Sequence, residues 1–101
     1  MITIAWIQEK ISSEHYFLSR HADVERKNDN LTLIEIEEAI LNGIILETYP
    51  EDKRGESCLT VGFATSGKPI HVVCGKSDNA LIIITVYIPT PPKFKNPYER
   101  G

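Results

Sequence analysis

Apolar positions repeat at helical spacing up to about Asn42 and at strand spacing after Gly43, so the chain reads as helices followed by a sheet. Ile4, Ile7 and Ile11 share one stripe, which predicts a short amphipathic helix from Thr3 to about Ser12. Thr32 is an N-cap, Glu35 completes a capping box, and Leu31 with Ile36 forms a hydrophobic staple. That helix runs through Ile36, Ala39 and Ile40 to a stop at Asn42-Gly43. Its Glu35, Glu37 and Glu38 read as a solvated face. Between the two, Ser19 opens a short helix carrying Arg20 to Lys27, which ends in the polar turn Asn28-Asp29-Asn30. The apolar stripe of this middle helix is poor, so tertiary contact or function must hold it.

Four strands follow: Ile44 to Tyr49, stopped by Pro50; Ser57 to Thr65; Lys68 to Gly75; and Ala80 to Ile88. Ser66-Gly67 reads as a two-residue hairpin loop that sets Thr65 opposite Lys68. In that register Leu59, Val61 and Phe63 share a face with Ile70, Val72 and Cys74, while His71 lies on the other face opposite Gly62. A histidine facing a glycine away from the helices describes a groove. The same register puts Cys58 and Cys74 on opposite faces, where they stay reduced. Leu81 to Tyr87 is apolar on both faces, and its register leaves Thr85 and Tyr87 either beside His71 or on the core face. The expected fold is therefore α+β, with N-terminal helices on one face of a four-stranded antiparallel meander. Residues 1–89 form one domain and 90–101 an extended, proline-rich tail, strapped down by Phe94 or Tyr98.

Size changes little in this picture: 101 residues with 42% hydrophobic content suit one core. The longest apolar run, Ala80 to Ile84, is strand-sized, and the N-terminus lacks the pattern of a signal peptide, so a cytoplasmic protein without a membrane partner is expected. A net charge of −3 argues against indiscriminate binding to nucleic acid and leaves room for a local basic face. The histidines and cysteines are not paired at ligand spacing, so neither a metal nor another cofactor is expected.

The candidate chemistry centres on His71, a titratable ring in the apolar stretch Lys68-Pro69-Ile70-His71-Val72-Val73-Cys74. It belongs to a longer series: Ser19-Arg20-His21-Ala22 with Arg26, the capped helix, Glu47-Thr48-Tyr49-Pro50, Pro69 to Val73, and Thr85-Val86-Tyr87-Ile88-Pro89. That series resembles the bacterial domain-of-unknown-function family 4258, whose pattern is S-x-H-A-x-x-R, a helix, E-x-Y-P, P-L-H-V-V and T-V-Y-x-P. The likeness spans about Tyr16 to Pro89. The family is similar to the superfamily of barnase, colicin ribonucleases and RelE-type toxins, in which helices back a curved sheet that cleaves RNA on its other face. The chain departs from the pattern in the longer turn Lys27-Asn28-Asp29-Asn30 and in Lys93-Phe94 after the last strand.

The resemblance implies a metal-independent RNA endonuclease, the toxin of a toxin–antitoxin-like module. Its partners would be RNA, ribosome-associated mRNA included, and an antitoxin protein, and not DNA. Such chemistry needs a base for the 2′-hydroxyl, an acid for the leaving 5′-oxygen and cations for the phosphorane. His21, His71, Tyr87 and Arg26 supply the catalytic types, and Arg20, Lys27, Lys53 and Arg54 the remaining cations for RNA. Each has a plainer role open to it: His21 lining its helix, Arg26 pairing with Asp23 or Glu25, Tyr87 filling the core, His71 a satisfied structural histidine. A non-catalytic protein-interaction domain on the same scaffold is the alternative, and it would not require the ring of cations.

Overall fold

A computed structural model describes all 101 residues. Along the chain lie α1 (Ile4–Ser12), β1 (Tyr16–Leu18), α2 (Arg20–Asn28), α3 (Leu33–Leu41), β2 (Ile44–Tyr49), β3 (Ser57–Phe63), β4 (Pro69–Ser77), β5 (Ala80–Tyr87), β6 (Phe94–Asn96) and β7 (Glu99–Arg100). The class is α+β. The sheet is five-stranded and mixed, in the order β1-β5-β4-β3-β2, with β1 parallel to β5. This corrects the four-stranded antiparallel meander, because Tyr16-Phe17-Leu18 is too short a run to show a strand period. No helix is long and apolar enough to cross a membrane.

Each helix begins where its cap sits. Thr3 accepts from Trp6 N, Ser19 from Ala22 N, and Thr32 exchanges both capping-box bonds with Glu35. Ile7, Ile11, Ile36, Ala39 and Ile40 then pack with Cys58, Ile70, Val72, Cys74, Leu81, Ile83 and Val86 into one buried cluster. Burying a side chain of this size stabilises by roughly 1.5–3 kcal/mol. The polar helix α2 is held differently. β1 accompanies β5 only as far as Ile83. Beyond it, Glu25 Oε1 accepts from Val86 N at 3.1 Å and Asp29 Oδ2 from Ile88 N at 3.0 Å. Ser19 Oγ donates to Ile84 O at 2.8 Å. Side chains of α2 and its cap thus satisfy the open edge of β5.

The β3–β4 register differs from the expected one by a single residue. Gly67 N donates to Ala64 O at 2.8 Å and Ala64 N to Lys68 O at 3.0 Å, with Gly67 at φ +96°. This is a three-residue loop, a turn closed by a left-handed glycine, where two residues were expected. A one-residue slip reverses every facing. Cys58, Thr60 and Gly62 therefore share the helix side with Ile70, Val72 and Cys74, and His71 lies opposite Val61. The two cysteines are register partners on the same face, free and buried, instead of diverging. Burial pushes the Cys58 thiol up to about 11 and raises Cys74 as well.

Gly62 consequently belongs to the helix–sheet contact and not to a groove. A Cβ added to it would lie 1.8 Å from Ala39 O, a backbone atom of α3. Gly62→Ala is expected to cost about 3 kcal/mol, the upper end of ordinary overpacking. It would be read as a lower urea midpoint at unchanged slope. A midpoint equal to the parent's would mean that α3 stands off β3.

Candidate functional site

His71 sits mid-strand on β4, on the face away from the helices, beside its register partners Val61 and Tyr87. It is 0% exposed. Nε2 is 2.6 Å from Pro97 O and Nδ1 is 3.2 Å from the Tyr87 hydroxyl. A carbonyl only accepts, so Nε2 carries the proton and Nδ1 accepts from Tyr87. The ring also meets Phe94 edge-on, with centroids 4.5 Å apart. Burial draws the imidazole below its ordinary range, against the opposing pull of the Pro97 carbonyl and Glu47. His71 is thus a neutral, fully bonded histidine, and the groove expected over it is filled.

The chain's own C-terminal segment fills it. Residues after Pro92 turn back as the β6–β7 hairpin, which forms its own two-stranded sheet. Phe94, 1% exposed, is its anchor. Arg100 clamps Glu47 of β2 through two hydrogen bonds of 2.8 Å, and Tyr49 donates to the same carboxylate at 2.6 Å. Arg100 first, then Tyr49, holds the Glu47 carboxyl at about 2. Tyr98 adds a tilted contact with Phe63, centroids 6.4 Å apart. Buried Leu59 and Val61 lie on this side of the sheet, outside the main cluster.

An open cleft of about 520 Å³ remains between α2, the end of β5 and this segment, lined by Glu25, Asp29, Tyr87, Ile88, Thr90, Lys93 and Phe94. Desolvation raises the Tyr87 hydroxyl above its ordinary value, so it stays a neutral donor. Glu25 has two tasks. One oxygen holds Val86 N, and the other lies 3.3 Å from His21 Nε2. Nε2 is the ring nitrogen that faces the carboxylate, and Nδ1 makes no hydrogen bond within the protein. His21 is 70% exposed. Glu25 was not among the sequence candidates, although its i,i+4 spacing from His21 is visible in the sequence. Lys93 was not among them either, since nothing local shows that the tail folds back to Tyr87.

The remaining candidates disperse. Arg26 Nε bonds Asp23 at 2.8 Å and a terminal nitrogen bonds Leu31 O at 3.2 Å, which ties down the turn after α2. Lys27 shares Asp23, and Arg54 pairs with Asp52. Arg54 lines a different and smaller cleft, with Ser19, Lys76 and Ile82. Arg20 and Lys53 are exposed and make no ion pair. These five cations do not form one ring. No three His, Cys, Asp or Glu side chains converge on a metal-sized site.

The family model described as Domain of unknown function (DUF4258) matches residues 18–88. The chain belongs to that family. No match is found among curated proteins or among solved structures. The DUF4258 span runs from the last residue of β1 to just past β5, so it contains His21, Glu25, His71 and Tyr87. The hairpin that covers His71 lies beyond it.

Proposed function

We propose that this DUF4258 protein is a metal-independent RNA endonuclease of the barnase and RelE type, the toxin of a two-gene module restrained by an antitoxin protein. One observation carries the reading: a single cleft is lined both by Glu25, whose carboxylate lies 3.3 Å from His21 Nε2, and by Tyr87, whose hydroxyl is hydrogen-bonded to His71. His21 Nδ1 takes the 2′-hydroxyl proton as that oxygen attacks phosphorus. The Tyr87 hydroxyl turns from His71 Nδ1 and gives its proton to the departing 5′-oxygen, and a 2′,3′-cyclic phosphate forms. Lys93, whose Nζ lies 5.7 Å from the centre of the Tyr87 ring, supplies charge for the phosphorane in place of Arg26. His71 acts as a positioning residue that holds the Tyr87 hydroxyl.

The interaction-domain reading keeps one observation of its own, that the sheet face at His71 is occupied by protein. Single-stranded RNA incubated with purified protein in excess chelator separates the two. Cleavage to cyclic-phosphate ends is expected. RNA left intact at all protein concentrations, or cut only after a divalent metal is restored, would overturn the proposal.

A further inference from the structure

We infer that the hairpin over β2–β5 is a displaceable cover that gates access of RNA to the His71–Tyr87 face. The RNA part rests on the endonuclease reading. The cover itself rests on how the hairpin is attached. β6 and β7 pair only with each other, so no ladder of backbone hydrogen bonds joins them to the main sheet. Discrete contacts of single residues hold them: the Phe94 ring on His71, the Pro97 carbonyl on His71 Nε2, Tyr98 on Phe63, and Arg100 on Glu47. Contacts of this kind are released together, which makes opening a two-state event.

What lies beneath is unlike an ordinary core. Leu59 and Val61 are joined there by the His71 imidazole, the Tyr87 hydroxyl and the Glu47 carboxylate. Two of the hydrogen-bond partners of these groups, Pro97 O and the Arg100 guanidinium, belong to the cover. Removing it would present an imidazole, a phenol and a carboxylate on a rigid sheet. The family span contains that face and stops short of the cover.

The cover also has the right charge for RNA. Residues 89–101 hold Lys93, Lys95 and Arg100 against one acidic side chain, Glu99, in a chain of net charge −3. Arg100 is 50% exposed, so a phosphate can reach the guanidinium that Glu47 now holds. Its planar fork binds either anion in the same bidentate way. A phosphodiester that takes Arg100 therefore unlatches the cover and uses it as a cationic arm.

The test uses the full-length chain with Glu47→Gln, which keeps the shape of the side chain and removes the charge that clamps Arg100, and with Phe94→Ala, which removes the anchor. Labelling of His71 by diethylpyrocarbonate, quantified by mass spectrometry, reads opening. Labelling of Cys58 and Cys74 by a thiol reagent reads global unfolding, because both lie under the helices. His71 labelling is expected to rise about 10-fold in each variant, with the thiols still protected. Unchanged labelling, or labelling that rises only together with the thiols, overturns the cover. Binding of a short single-stranded RNA oligonucleotide is expected to tighten several-fold in Glu47→Gln. Equal RNA affinity despite faster His71 labelling overturns the gating. RNA bound by neither protein sinks the endonuclease reading and the gating of RNA with it, while the labelling still decides whether the hairpin opens.

Discussion

His71→Ala is expected to lower the unfolding free energy by about 3 kcal/mol, the sum of an orphaned-partner and a cavity contribution. The substitution leaves Pro97 O and the Tyr87 hydroxyl unpartnered beneath the hairpin and opens a void against Phe94. His71→Gln should lose less, since its amide can still donate to the carbonyl. The same histidine sets a pH dependence. Its folded pKa is depressed by burial, so on acidification the unfolded chain takes up a proton before the native one does. Stability is therefore full above the ordinary histidine value of 6.5 and falls as pH drops from there toward the lower native value. Glu35 and Glu47, held at about 2, act in a separate window, as pH falls from the ordinary 4.5 toward that value. Urea midpoints of the parent at pH 7.5, 6.5 and 5.5 should decline, and those of His71→Gln should decline less. Equal decline in both proteins would assign the titration to other groups.

The local signals that could be read in the sequence were those with chemistry at fixed spacing. The caps at Ser19 and Thr32 are carried by one or two residues each, and α2 and α3 start there, while Thr3, expected as the first residue of its helix, is the cap of α1. The weak apolar stripe of α2 correctly pointed to tertiary support, but that support is Glu25 and Asp29 reaching β5 some sixty residues on, which no local pattern encodes. Ser66-Gly67 suits a two-residue or a three-residue hairpin equally, because both need a glycine with positive φ. Choosing the shorter loop reversed β3 against β4 and set His71 opposite the wrong residue. Four prolines made residues 89–101 look extended and the aromatics Phe94 and Tyr98 stood out as straps, while the target of Phe94, His71, and the Arg100–Glu47 clamp depend on contacts distant in sequence. The family pattern likewise led to His21, His71 and Tyr87 and stops before the segment that buries one of them.

On the endonuclease reading, His21→Ala should reduce RNA cleavage by about 10²- to 10⁴-fold, the usual loss when a general base is removed. Stability should move by less than about 0.5 kcal/mol, because the ring is largely exposed and touches only Glu25 among charged groups. Glu25→Gln should act more mildly. The amide oxygen can still accept from Val86 N and hold α2 on β5, while the charge that orients His21 is gone. About a 10-fold loss is expected, confined to the catalytic rate, since RNA phosphates are not bound by this carboxylate. Tyr87→Phe gives the matching test on the acid side, because it removes the hydroxyl and leaves the aromatic face beside Lys93. Cleavage rates measured with folded His21→Ala and Tyr87→Phe proteins decide the assignment. A His21→Ala protein that cuts at the parent rate would exclude the His21–Glu25 pair from the chemistry and leave Tyr87 without a base at its cleft.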